Sequence, residues 1–346
     1  MRILCLAVFL FFVSFVLIPS VSASELLGAG ATFPYPFYSK VFKSYNEKTG
    51  ERINYQAIGS GGGIRQLLSK TVDFGATDAF MKKDELKQSK EEIIHIPTCM
   101  GAVSIAYNLP SNPGIKLSGK LISEIFLGNI KKWNDPKIIK LNPGVKFPSL
   151  KIIPVYRSDG SGTTFIFSDY LSKVSEEWKK KMGAAKVLKW RSGIGAKGNA
   201  GVAGTIKNLP GSIGYIEFVY AKSNKIPVAK IKNSSGKFIL PSIDTISLAA
   251  NTSIPSDTRV SITNTKAENG YPISSFTWLI FYKEQKYSDH KLLQAVSLKK
   301  LLYYIIGEGQ KFAPNLYYAP LPENVRKLSH KLIDKMTYNG KAVAIN

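Results

Sequence analysis

The sequence predicts an α/β fold, and three stretches carry that prediction. Ile53 to Ile58 (INYQAI) reads as a strand, runs into Gly59-Ser60-Gly61-Gly62-Gly63, and continues with Ile64, Leu67 and Leu68 at helical spacing. Ile152 to Tyr156 (IIPVY) repeats the pattern, leading through Arg157-Ser-Asp159-Gly160-Ser161-Gly162-Thr163 into Phe167, Tyr170, Leu171, Val174 and Trp178. A third helical stripe, Tyr38, Val41, Phe42 and Tyr45, follows the turn Gly28-Ala-Gly-Ala-Thr32-Phe33 and closes at Gly50. Strand, glycine turn and helix in repetition are the pattern of a layered α/β protein.

Taken in order, the chain opens with Arg2, an apolar run from Ile3 to Ile18 broken only by Ser14, and Pro-Ser-Val-Ser-Ala23. A basic start, a short apolar stretch and a small-x-small exit describe a secretory signal peptide over 1–23, cleaved after Ala23. The run is short for a membrane span of about 20 residues. Val72 to Ala79 (VDFGATDA) contains Asp78, which alone reads as a turn or capping aspartate. Leu121, Ile122, Ile125 and Phe126 make a fourth helical stripe. The stripe from Phe167 to Trp178 predicts one helix through about 161–180. Gly193 to Gly204 is glycine-dense and opens another helix, and 230–270 is polar and loop-rich.

Composition narrows the class. Cys5 falls in the leader, so Cys99 alone remains and no internal disulfide can form. Cys5 also lacks the setting of a lipid-attachment cysteine, which favours an envelope with a periplasm. The net charge is +23, but all but seven of the 47 cationic residues are lysines scattered along the chain. No basic cluster interleaves with aromatics as a nucleic-acid site requires, so a nucleic-acid partner is not expected. The charge gives a weak, salt-screened attraction for anions.

Each glycine turn precedes a helix, where unpaired backbone N–H groups and the positive end of the helix dipole collect. Glycine admits a ligand close to that backbone and hydroxyls add directed donors, a combination suited to an oxyanion. One such turn is commonly just an N-cap; three, one beside Arg157, point further. Named nucleotide and hydrolase motifs fail: Gly162 is followed by Thr163-Thr164 where a P-loop needs Lys-Ser/Thr, Phe33 replaces the third glycine of a dinucleotide fingerprint, and no G-x-S-x-G occurs. His95, His290 and His330 show no metal-ligand spacing, so no metal site is expected.

GAGATFPYP (28–36), YQAIGSGGGIRQL (55–67), VDFGATDA (72–79), FLGNIKKWNDPKI (126–138), YRSDGSGTTFIF (156–167), GAKGNAGVAG (195–204) and LPGSIGYIEFVYA (209–221) occur in order over nearly the whole chain beyond the leader. Together they resemble the phosphate-binding protein of the bacterial high-affinity phosphate ABC transporter, the PstS family. The resemblance implies a two-lobed type II periplasmic binding protein fold with two crossover strands, placed near Ala102–Asn108 and Phe276–Tyr282. Lobe I is then 24–105 plus 277–346, and lobe II 106–276. It implies phosphate contacts at Thr32, Phe33, Ser60, Asp78, Arg157, Ser161, Gly162 and Thr163, with Asp159 orienting Arg157 or capping the following helix. Gly61 departs from the family, where Ser is common, and the 230–270 region departs more widely. The implied protein is a periplasmic monomer, without cofactor or enzymatic activity, that delivers inorganic phosphate to a membrane permease. The alternatives are a binder of another tetrahedral oxyanion such as sulfate and a surface or adhesive protein that has kept the fold. Asp78 argues for phosphate. An ionised carboxylate only accepts hydrogen bonds, so it suits an anion that still carries a proton and repels sulfate.

Overall fold

The computed structural model describes residues 25–345; the expected leader at 1–23 lies outside them. The chain starts with β1 (Glu25–Gly30), α1 (Tyr35–Thr49), β2 (Arg52–Gln56), α2 (Ser60–Leu68), β3 (Phe74–Thr77), the short α3 (Lys83–Leu86) and β4 (Ile93–Tyr107). It continues through β5 (Lys116–Leu117), α4 (Gly119–Phe126), α5 (Pro136–Leu141), β6 (Ile153–Arg157), α6 (Gly162–Val174), α7 (Glu176–Lys181), β7 (Ile194–Ala196), α8 (Gly198–Asn208), β8 (Ser212–Glu217) and α9 (Phe218–Asn224). The 230–270 region holds only β9 (Lys230–Lys232), β10 (Phe238–Ile239) and α10 (Ile243–Ala249), after which β11 (Ser274–Tyr282), α11 (Leu292–Ile306) and α12 (Glu323–Ile333) complete the main elements.

Eight strands form one sheet in the order β2-β1-β3-β11-β4-β8-β6-β7. The outer pairs on both sides are parallel, β1 with β2 and β3, and β6 with β7 and β8. The middle is antiparallel. β4 joins the two wings: it pairs with β11 up to Ala102 and with β8 from Val103 to Tyr107. All 15 of its residues are buried, as a strand covered on both faces must be.

Each wing has an aromatic core. In the first, the stripe of α1 is buried against Tyr55 and Phe74, and Gly50 ends the helix with φ 77° and its N–H on the Asn46 carbonyl. That left-handed residue is a common helix stop and costs glycine little. In the second, Phe167 stacks on Tyr215 at 4.3 Å between ring centres, with Phe126, Trp178 and Trp190 packed around them. Such stacking adds about 0.5–1.5 kcal/mol to the burial itself.

The helix expected over 161–180 is two helices. Ser175 ends α6 with extended φ/ψ, and its Oγ accepts the Trp178 N–H to begin α7. The apolar stripe survives the break because Trp178 still reaches the same core.

Candidate functional site

The carboxyl ends of β1, β3, β6 and β7 converge where the two wings meet, the usual place for a ligand in an α/β sheet. The chain there enters the turn at Thr32, Asp78, Arg157 and Asn199, and the N-termini of α2, α6 and α8 open onto the same region. All are enclosed: Ser60, Ser161, Thr163 and Asn199 are fully buried, and Asp78 and Arg157 nearly so.

Thr32 and Phe33 form the first turn. The carbonyls of Ala31 and Thr32 accept from the hydroxyls of Tyr55 (2.7 Å) and Tyr220 (2.6 Å). In a trans peptide the N–H points opposite to the C=O, so the amides of Thr32 and Phe33 are turned away from those tyrosines. The Phe33 side chain is buried beside Gly101 and Tyr318, so only its backbone is available to a ligand.

Ser60 and Asp78 hold each other. The Ser60 Oγ accepts the Asp78 N–H at 3.2 Å and donates to Oδ2 at 3.3 Å. Oδ1 accepts from Thr277 Oγ1 at 2.7 Å. The β4–β11 register shifts between Thr277 and Trp278, leaving Thr98 on β4 as the extra residue next to Pro97. Bulges re-aim side chains and tolerate proline, which cannot donate to the ladder. Burial pushes the Asp78 carboxyl up to about 7, although the Thr277 hydroxyl, the Arg157 charge and the Ser60 hydroxyl all favour its ionised form.

From the second wing comes Arg157, whose side chain is 1% exposed. Its Nε and Nη2 donate to Asp159 Oδ1 and Oδ2 at 2.7 and 2.5 Å, a two-point clamp, and Nη1 donates to Thr163 Oγ1 at 3.2 Å. Asp159 also accepts the Gly198 N–H at 3.0 Å. Burial opposes its ionisation, but the bonds and charge of Arg157 with the Gly198 amide outweigh it and hold the carboxyl below the usual range. Asp159 therefore does not cap α6; Ser161 does, its Oγ accepting the Thr164 N–H at 3.0 Å. The amides of Gly162 and Thr163, the first two residues of α6, have no intrahelical acceptor.

The structure thus brings every predicted residue to one place, and the two wings touch there. The Gly61 N–H donates to the Gly160 carbonyl at 2.9 Å. A Cβ on Gly162 would lie 2.4 Å from Ser60 Oγ and 2.5 Å from Asp78 Oδ2. One on Gly59 would lie 2.4 Å from Asp159 Oδ2. Glycine at these positions lets the two wings approach this closely.

Sequence reasoning missed Asn199 and Thr277. Asn199 donates from Nδ2 to both Thr32 Oγ1 (2.9 Å) and Thr163 Oγ1 (3.1 Å). It lies inside GAKGNAGVAG, so its neighbourhood was legible although its role was not. Thr277 is one of several hydroxyl residues in a buried strand, with no local signal to single it out. Among the described residues no group of histidine, cysteine and carboxylate side chains is arranged to hold a metal, and no helix is long and apolar enough to cross a membrane.

Residues 19–308 match the family model of the PBP superfamily domain. The chain is 42% identical over 316 residues to the phosphate-binding protein PstS of Haemophilus influenzae, covering 89% of this chain and 92% of the relative. It is 36% identical to the PstS of the archaeon Methanocaldococcus jannaschii, covering 86% and 83%. Among solved structures, a high-affinity periplasmic phosphate-binding protein (PfluDING) bound with phosphate superposes with a TM-score of 0.71 at 21% identity, covering 89% of this chain and 93% of that one. A putative phosphate ABC transporter substrate-binding protein from Clostridium perfringens, with bound phosphate, gives 0.64 at 18% identity, covering 86% and 100%. The two structures share the type II periplasmic binding protein fold with this chain. By sequence the chain belongs to the PBP superfamily and, within it, to the PstS family of phosphate-binding proteins.

Proposed function

We propose that the protein binds inorganic phosphate between two lobes in the periplasm and delivers it to the permease of a phosphate ABC transporter. The observation that carries this is the polarity of the site: one buried carboxyl, Asp78, faces a set made almost entirely of donors. Arg157 contributes charge, Thr32, Ser161 and Thr163 contribute hydroxyls, and Phe33, Ser60, Gly162 and Thr163 contribute amides, the Ser60 hydroxyl being engaged with Asp78. A tetrahedral anion that still holds a proton satisfies both halves. Sulfate brings no proton, and facing an ionised Asp78 it costs several kcal/mol, on the order of an unpaired buried charge.

We take lobe I as 24–105 with 277–346 and lobe II as 106–276. β4 is one passage between them; we put the other at the N-terminal end of β11, near Ser274 and not at the expected Phe276–Tyr282, because those residues pair with β3 and the first part of β4. Lobes that each own part of the donor set close over the anion by hinge motion. Binding and release need nothing more, and the relatives are binding proteins, so we read the chain as a monomeric carrier and not an enzyme, exported by its leader.

The test is calorimetry on protein of residues 24–346, stripped of phosphate by partial unfolding and refolding. Tight one-to-one phosphate binding is expected, with sulfate binding far more weakly at pH 8.5, where Asp78 is ionised. Comparable binding of both anions would remove the Asp78 argument, and binding of neither would favour a surface role for a retained fold.

A further inference from the structure

Among the described residues, Asn199 is the one side chain that bonds to binding-site hydroxyls from both wings. Its Oδ1 accepts the Glu217 N–H at 2.9 Å, and a backbone amide can only donate, so the Asn199 carboxamide has one allowed orientation. Nδ2 is thereby turned toward Thr32 and Thr163. A threonine hydroxyl has two acceptor positions and one hydrogen. On Thr32 both acceptor positions are taken, by the Asn199 N–H at 3.2 Å and Nδ2 at 2.9 Å. On Thr163 they are taken by Arg157 Nη1 at 3.2 Å and Asn199 Nδ2 at 3.1 Å. Both hydroxyls are buried, and among the described residues neither donates to a protein acceptor. Each hydrogen is left for what lies between the wings.

We infer that Asn199 is a positioning residue for phosphate: by donating to Thr32 and Thr163 it forces both hydroxyls to act as donors to the anion, and it ties the first wing to the second. The inference rests on the phosphate-binding reading. It explains why an amide stands here. A carboxylate of the same size would draw both hydroxyl hydrogens to itself and turn their lone pairs toward the ligand. A leucine would leave one acceptor position open on each hydroxyl, so that its hydrogen is directed less strictly.

The experiment compares N199D and N199L with wild type by phosphate calorimetry at pH 8.5 and pH 6, each variant referred to wild type at the same pH, with melting of the phosphate-free proteins alongside. Burial of position 199 and the Asp159 carboxylate, which accepts the neighbouring Gly198 N–H, favour a protonated carboxyl there, while Arg157 opposes it. N199D is expected to lose at least a hundredfold in affinity at pH 8.5 and to recover at least tenfold of that loss at pH 6, as its carboxyl regains a proton to donate. N199L is expected to show the same loss at both pH values. A loss by N199D of less than threefold at pH 8.5, or one as independent of pH as that of leucine, overturns the inference. A merely structural role would not produce the pH-dependent recovery. If N199D does not fold, a double-mutant cycle of Asn199→Ser with Thr32→Val decides: losses that add within threefold overturn the inference, and a coupling of tenfold or more supports it. Wild type separates the two levels of argument. If it binds phosphate and the variants behave otherwise, only this inference falls; if it binds none, both fall.

Discussion

At the scale of single residues, the proposed choice between anions rests on Asp78. With its carboxyl pushed up to about 7 by burial, it is mostly neutral below that pH and ionised above it. A neutral carboxyl donates a hydrogen bond to sulfate, whereas a carboxylate repels it. The protonated fraction falls about tenfold per pH unit above the midpoint. Sulfate affinity should therefore fall about tenfold per unit above pH 7 and level off below it. Asp78→Asn, which cannot ionise, should bind sulfate with no such slope and more tightly than wild type at pH 8; if it binds no better there, the acceptor argument is wrong. Thr277→Val deletes the hydrogen bond that favours the ionised form. It should shift the sulfate midpoint upward, which a pH series of competition titrations reads directly.

At the scale of elements, Ser175 shows how a cap can override a stripe. It separates α6 from α7, its Oγ accepting the Trp178 N–H at 3.2 Å and lying 3.0 Å from Ser123 Oγ. Removing an N-cap typically costs about 1 kcal/mol. Ser175→Ala should lower the urea unfolding free energy by about 1–2 kcal/mol and leave phosphate affinity within twofold, because Ser175 touches nothing in the site. The break was not legible because Phe167, Tyr170, Leu171, Val174 and Trp178 keep a helical period across it. Most other elements were legible: the stripe of α1, its stop at Gly50, and strands β2 and β6 appear within a residue or two of where periodicity puts them. The site divides in the same way. Arg157, Asp159, Ser161 and Thr163 announce themselves within one glycine turn. Asn199 meets Thr32 from 167 residues away and Thr277 meets Asp78 from 199, and no local pattern encodes contacts that only the joined sheet creates.

At the scale of the whole molecule, the two wings share one sheet and also touch each other inside and outside the proposed anion site. Outside it, Lys186 Nζ reaches Glu85 Oε1 at 2.5 Å, the Lys82 ammonium lies over the Phe165 ring, and Phe80 meets Phe165 edge-on at 6.2 Å between centres. Inside it, the Gly162 backbone rests against Ser60 and Asp78 with no room for a methyl group. Its φ is ordinary, alanine is the better helix former, and the three atoms a Cβ here would meet first all belong to the first wing. The substitution is therefore resisted chiefly where the wings come together. The phosphate-free variant should melt at or slightly above the wild-type temperature, while phosphate affinity falls at least a hundredfold. Solution scattering adds an independent reading: wild type should contract on adding phosphate and the variant should not. A Gly162→Ala protein that binds phosphate within threefold of wild type and contracts as it does would mean that the wings need not approach this closely. The close fit of α6 against Ser60 and Asp78 would then be incidental to binding.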